Sequence, residues 1–325
     1  VHDWVTQVVA IAKQIPGTPI KLIWSREEDM LQGRFHPVTQ CKLVGGLDAQ
    51  GNLVGLTMRI SGQSIVADIF PQNIRDGRDP VVFQGLNAGG GEAMIGYTIP
   101  NLLIDHAMRN PPVPPGFWRG VNLNQNAIYL ECFMDELAHA AGKDALEFRR
   151  ALMANHPKHL AVLNAVAERA GWGRPRTDGR HLGLAQTHGF GSYVAAGAEV
   201  SVSAEGKLTI HRIVAATDCG HAVNPQQIEA QVEGSFVYGL GAALYQQCTL
   251  KGGRMVEENF DTYPMLRMEE MPKVESIVMP SGDFWGGVGE PTIAVAAPAV
   301  LNAIFSATGK RVRTLPLTKV DLRRG

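Results

Sequence analysis

A glycine cluster late in the sequence is followed by one carboxylate, which stands at the start of a helical segment. It reads Gly286-Gly287-Val288-Gly289-Glu290-Pro291. Glycines allow the backbone to approach a ligand closely, and the amides of such a turn can face an oxyanion. A carboxylate held there could accept a proton, so Glu290 is a candidate general base. The alternative is a first-turn acid that favours the helix dipole.

A second candidate is the turn Phe117-Trp118-Arg119-Gly120, which follows a proline-rich loop and precedes a long helical pattern. Arginine suits bidentate binding of phosphate, and the glycine beside it permits close backbone contact. The alternative is a surface arginine stacked on Trp118. On the residues alone both interpretations stay open.

A third candidate covers residues 218–234, where a polar loop leads into a helix at Pro225. Gln231 and Glu233 lie close together in this otherwise apolar helix. Asn224 stands where a helix cap is expected. His221 is interpreted as a loop histidine rather than a metal ligand, because no second histidine or cysteine has a suitable spacing.

The elements that must position these residues are helices and strands in mixed order. Apolar spacing predicts helices over 4–15, 126–141, 146–153, 160–170, 228–245 and 299–307. Strands are predicted over 20–24 and in two pairs joined by turns, 41–47 with 53–60 and 194–203 with 207–216. The predicted class is α+β. Helical periodicity lapses at Asn155-His156-Pro157-Lys158, which predicts one domain over residues 1–155 and a second over 156–325.

The composition excludes several classes of partner. The chain has 325 residues with 30 basic and 31 acidic side chains, so its net charge of -1 would not gather nucleic acid or an anionic membrane. Its four cysteines form no CxxC pair, and therefore give no zinc or iron-sulfur signature. The apolar stretches are interrupted before the ~20 residues of a membrane span, so no transmembrane helix is expected.

Taken in order, these segments resemble the molybdenum-binding subunit of the xanthine oxidase and aldehyde oxidase family, in particular the large subunit of the isoquinoline 1-oxidoreductase type. The resemblance runs from Val1 to Leu317. It is carried by Trp118-Arg119-Gly120, Asp218-Cys219-Gly220, Glu229-Ala230-Gln231-Val232-Glu233-Gly234 and Gly287-Val288-Gly289-Glu290-Pro291. It implies an α+β fold of mixed helix and sheet molybdopterin-binding domains.

The resemblance also implies roles for single residues. Glu290 would be the base beside molybdenum, and Gln231 would contact the pterin. No side chain is implied as a direct metal ligand. Phe190 and Tyr193 are candidates for the substrate pocket. The implied cofactor-binding residues are Arg119, Gly120, Gln231, Val288 and Gly289.

The activity that the resemblance implies is a molybdenum hydroxylase that oxidises an aldehyde or an aromatic N-heterocycle with water as the oxygen source. The loop over 87–97 has no arginine to match the purine-anchoring arginine of the xanthine enzymes, which disfavours xanthine. The implied cofactor is molybdopterin, with a cytosine dinucleotide form as one variant. Electrons would pass to iron-sulfur clusters on a small two-iron two-sulfur subunit, and a cytochrome c is a candidate acceptor beyond it.

One motif of the family is expected before Val1, namely the Gly-Gly-Phe-Gly segment that covers the cofactor from the other side. The upstream half of the same subunit is therefore an expected partner, and the chain is expected to be inactive alone. The rival interpretation is a non-catalytic fragment or split subunit that binds and assembles with the rest of the enzyme. The compartment stays open: relatives of this type favour the periplasm, and the cytoplasm is the alternative.

Overall fold

Residues 3–89, 92, 94–176 and 178–324 are described by the computed structural model of the chain. The loop over 87–97, in which no purine-anchoring arginine is predicted, is therefore described only in part. The start of the family resemblance at Val1 also lies outside the described residues. The positions without a description are Val1, His2, Gly90, Gly91, Ala93, Thr177 and Gly325.

The helices follow the predicted periodicity closely. Helices α1 to α8 span Asp3–Ala12, Arg26–Gln32, Ile65–Ile69, Leu123–Ala140, Ala145–Leu152, Pro157–Ala170, Pro225–Leu244 and Ala296–Thr308. A 3-10 helix over Pro291–Val295 leads directly into α8. The strand predicted over 20–24 is wrong, because that segment pairs with no neighbour in the described part of the chain.

Within the described residues the strands form two mixed sheets and one short two-stranded sheet. Strands β1 to β9 span Thr39–Leu47, Leu53–Gly62, Leu102–Met108, His181–Gly189, Ser192–Val202, Leu208–Asp218, Leu250–Lys251, Arg254–Met255 and Lys273–Val278. The first sheet has the order β1-β2-β3 and the second has the order β4-β5-β6-β9. In each sheet the predicted antiparallel pair is confirmed, and a later strand adds in parallel. The α+β class is confirmed.

The second sheet is covered on both faces, and its strands alternate between two buried clusters. Tyr193 faces the cluster that contains Val162 of α6. The next residue, Val194, faces the cluster that contains Phe236 of α7 and Val300 of α8. Helix α6 therefore lies on one face of the sheet, and α7 and α8 lie on the other.

The most apolar helical stretch is buried in the core and packs against this sheet. Pro291–Thr308 has the length and mean hydropathy of a membrane span, but 83% of it is buried inside the fold. A core helix gives the same signal as a membrane-spanning one when length and composition are the only criteria.

Residues on both sides of residue 155 share one buried cluster. Met134 of α4 and Val162 of α6 pack in the same cluster as Leu184 of β4. The division of the chain into domains over 1–155 and 156–325 stays a prediction.

Candidate functional site

The loop that carries Glu290 rests on the tip of the β4–β5 hairpin. The Gly287 amide donates to the Phe190 carbonyl at 2.8 Å, and the Ser192 hydroxyl donates to the Gly287 carbonyl at 2.7 Å. These two hydrogen bonds use the amide and the carbonyl of Gly287, and they hold the glycine cluster against the hairpin tip. Glu290 follows three residues later, immediately before the 3-10 helix Pro291–Val295.

The turn at the tip of this hairpin has an unusual backbone conformation. Gly189 pairs with Ser192, so Phe190 and Gly191 form the turn, with φ angles of 54° and 78°. Two positive φ angles are what a type I′ hairpin turn requires, although a bulky residue rarely adopts one. The turn aims the Phe190 ring into a small buried cluster of Leu123, Ala127 and Ala294. Phe190 thus lies between the start of α4 and the helical turn that follows Glu290.

Arg119 joins the three segments singled out in the sequence. Its Nε donates to the Gly289 carbonyl at 2.5 Å. Its Nη2 donates to the Gln231 backbone carbonyl at 2.8 Å and to the Gln231 Oε1 at 3.1 Å. Trp118 instead lies edge-on to His36, with ring centroids 5.8 Å apart. The guanidinium therefore connects the glycine loop to α7, and the stacking alternative is not the arrangement found.

Gly120 brings the backbone up to the candidate base. Its amide donates to the Glu290 Oε1 in a long hydrogen bond of 3.4 Å. Its φ is +87°, and an added Cβ would lie 2.2 Å from the Asn124 Oδ1, so only glycine fits here without rearrangement. Burial lowers the pKa of Arg119, while the negative charge of Glu290 opposes that shift. Glu290 thus accepts from a backbone donor and interacts electrostatically with a cation.

Helix α7 carries Gln231, which contacts Arg119. Asn224 caps this helix as predicted, since its side chain accepts from the Gln227 amide at 3.2 Å. His221 lies in the preceding loop, also as predicted, and stacks on the Trp285 ring with centroids 4.2 Å apart. Gln231 is on the exposed face of α7.

Tyr193 is placed differently from Phe190. It is 7% exposed and packs against His188, His159 and Phe284, with ring centroids 4.4, 4.9 and 5.8 Å away. Burial raises the pKa of Tyr193, and burial together with His159 lowers the pKa of His188 to about 4. This cluster faces α6, across the sheet from the helix that carries Gln231. The structure does not bring Tyr193 to the other candidate residues, and its place in the substrate pocket stays a prediction.

The groups at this site fit a pterin cofactor. Gly289 is exposed, and within 4 Å an added Cβ there would meet only the Gln231 Oε1, at 3.9 Å, so the backbone is open to a ligand. An amide side chain and a guanidinium are suited to the ring heteroatoms and phosphate of such a cofactor. Val288, between these groups, is partly buried against the cluster that contains α7 and α8.

Two family models match the chain. Both describe a molybdopterin cofactor-binding domain, one over residues 3–153 and the other over residues 119–272. The matched ranges overlap and together include Arg119, Gly120 and Gln231. The loop that carries Glu290 lies beyond the second range.

Individual proteins are similar over nearly the whole chain. Isoquinoline 1-oxidoreductase subunit beta of Brevundimonas diminuta is 31% identical, covering 93% of this chain and 38% of the relative. A membrane-bound aldehyde dehydrogenase of Gluconacetobacter polyoxogenes, named for pyrroloquinoline quinone, is 27% identical, covering 99% of this chain and 44% of the relative. The chain therefore spans less than half the length of these relatives.

A solved structure shows the same fold. Quinoline 2-oxidoreductase from Pseudomonas putida 86 superposes with a TM-score of 0.75 over 96% of this chain and 64% of that one, at 14% identity. Sequence models, relatives and fold thus agree on one assignment. This chain belongs to the molybdopterin cofactor-binding proteins of the xanthine oxidase and aldehyde oxidase family.

Proposed function

We propose that this chain supplies the catalytic base and part of the cofactor site of a molybdenum hydroxylase. The observation that supports this is the convergence of three distant segments. Arg119 contacts Gln231 and Gly289, which are 112 and 170 positions away in the sequence. The neighbouring Gly120 amide donates to Glu290. A carboxylate, a cation and an amide side chain are thereby gathered around one exposed glycine loop.

In this proposal Gln231 and the Arg119–Gly120 turn hold the pterin, while Val288 and Gly289 form the wall that it approaches. When bound, the molybdenum cofactor supplies the oxidation chemistry. Glu290 takes up the proton released from water, which is the source of the oxygen atom. The Gly120 amide and the Arg119 charge keep the carboxylate oriented for that transfer.

The proposed substrate is an aldehyde or an aromatic N-heterocycle, because similar proteins are named for isoquinoline and aldehyde oxidation. The electrons would leave through iron-sulfur clusters on a small two-iron two-sulfur subunit, with a cytochrome c as a candidate acceptor. A cytosine dinucleotide form of the cofactor and a periplasmic location belong to the same proposal. A non-catalytic assembly subunit is the second candidate, favoured by the exposure of Gln231 and Gly289.

Metal analysis tests the cofactor role, and the activity of the assembled enzyme after replacement of Glu290 separates these two functions. We expect the purified chain to hold no molybdenum alone and to hold it when assembled with the remaining polypeptide, because exposed donors on one wall bind a cofactor weakly. Elemental analysis after gel filtration measures this. Stoichiometric molybdenum in the isolated chain would show that its own residues complete the site. An assembled enzyme that has full activity after Glu290 is replaced would favour the assembly function.

We also predict that Arg119→Ala and Gln231→Ala lower the molybdenum content of the assembled enzyme, since each removes a polar group from the proposed pterin site. Gln226→Ala is the matched control, because Gln226 is an exposed glutamine in the first turn of the same helix. Its molybdenum content should equal that of the unmodified enzyme. Full occupancy in both test variants would mean that Arg119 and Gln231 support the fold without holding the cofactor.

A further inference from the structure

Asn124 lies directly beneath the Arg119–Gly120 turn, in the first turn of α4. Its Nδ2 donates to the Arg119 carbonyl at 2.7 Å, and the side chain is 8% exposed. The sequence gives no hint of this contact, because asparagine near a helix start is ordinarily a cap or a surface residue.

This hydrogen bond sets the direction of a second one. The Arg119 carbonyl and the Gly120 amide belong to the same planar trans peptide, so they point in opposite directions. When Asn124 holds the carbonyl, the amide must face the other way. That amide is the donor that meets the Glu290 Oε1 at 3.4 Å.

The other end of the Asn124 side chain faces Gly120. Its Oδ1 is buried and has no hydrogen-bond partner within the described residues. It lies 2.2 Å from the point where a Cβ on Gly120 would stand. The bond from Nδ2 to the Arg119 carbonyl is therefore the hydrogen bond that this side chain makes among the described residues.

We propose that Asn124 is a positioning residue for Glu290, which it orients through the Arg119–Gly120 peptide. The inference rests on the proposed function, since it assumes that Glu290 is the base. Asn124 itself donates to the Arg119 carbonyl of the turn and makes no hydrogen bond to the reacting carboxylate within the described residues. It determines where the backbone donor points, and thereby where the carboxylate is held.

The test compares Asn124→Ala and Asn124→Asp with Asn126→Ala in the assembled enzyme. Asn126 is the matched control, because it is also buried in α4 and also has an Oδ1 without a partner among the described residues. Its amide, however, donates to the carbonyls of Val82 and Gln84, away from the site. Arg119 and Tyr238, which interact electrostatically at this site, stay unchanged in all three variants.

We expect Asn124→Ala to lower kcat per bound molybdenum about 10-fold or more with little change in KM, as misplacement of a reacting group does. Asn124→Asp should move the acidic limb of the kcat/KM profile to higher pH, because it adds a carboxylate near Glu290. Hydrogen exchange of the Gly120 amide, measured by NMR on the full chain, should accelerate in Asn124→Ala. Asn126→Ala should leave the pH profile and that exchange rate unchanged.

The inference is overturned if Asn124→Ala and Asn126→Ala lower kcat alike, or if neither the pH profile nor the Gly120 exchange responds to Asn124. This failure differs from failure of the proposed function. If Glu290→Gln keeps its turnover, the base assignment is wrong whatever Asn124 does. The Gly120 exchange rate still reports the turn in that case, because it requires no catalysis.

Discussion

Glu290→Gln is expected to lower turnover by about 100-fold or more in the assembled enzyme, the range contributed by a positioned general base. Glutamine has the same shape and can still accept the long hydrogen bond from the Gly120 amide. It cannot take up a proton at neutral pH. The loop around it is held by Arg119 through the Gly289 carbonyl, which the substitution does not touch. The cofactor content should therefore stay unchanged while kcat falls.

Glu229→Gln is a suitable control for this variant. Glu229 is exposed on α7, the helix that carries Gln231, so the change removes one carboxylate from the same element without reaching the glycine loop. Turnover and molybdenum content are measured on the same preparation of each variant. Near-normal turnover of Glu290→Gln with full molybdenum occupancy would assign the proton transfer to another group.

Arg149→Met is expected to destabilise the fold by about 3–5 kcal/mol, as loss of one member of a buried ion pair does. Arg149 and Glu131 are both fully buried, and the Arg149 Nε donates to the Glu131 Oε2 at 3.1 Å. Tyr97 and Gln186 donate to the other carboxylate oxygen at 2.6 and 3.2 Å. Those neutral donors would remain, but the buried negative charge would lose its cation.

Arg59→Met provides the comparison, because Arg59 pairs with Asp105 at the surface, where water already solvates both groups. Arg59→Met should lower the free energy of unfolding, measured in urea, far less than Arg149→Met does. The double variant Arg149→Met with Glu131→Leu should recover part of the lost stability, since it removes both members of the fully buried pair and leaves Asp135 paired with Arg311. Equal losses for Arg149→Met and Arg59→Met would mean that the buried pair has no special role in stability.

Local patterns were sufficient for most of the helices and for the two predicted strand pairs, but strand β4 and its hairpin with β5 were not predicted. The predicted helix over 228–245 corresponds to Pro225–Leu244, because apolar spacing and a first-turn proline are properties of neighbouring residues. Helix α2 was missed although its signal is local: Ser25 and Glu28 form a capping box at its start. The parallel strands β3 and β9 were not predicted, because their partners lie far away in sequence.

The sequence alone singled out three segments that the structure brings together: the glycine loop with Glu290, the Arg119–Gly120 turn, and the helix with Gln231. Their role in the site stays a prediction. The sequence also determined the family, because these motifs occur in a specific order. It could not determine what Arg119 binds, since its partners are 112 and 170 residues away and no local pattern encodes such a contact. Only the tertiary structure decided that Phe190 lies against the Glu290 segment while Tyr193 faces α6. The physical reason is that Phe190 lies in the turn at a positive φ, whereas Tyr193 lies in β5, where alternate residues point to opposite faces of the sheet. Neither local pattern encodes which helices pack against each position.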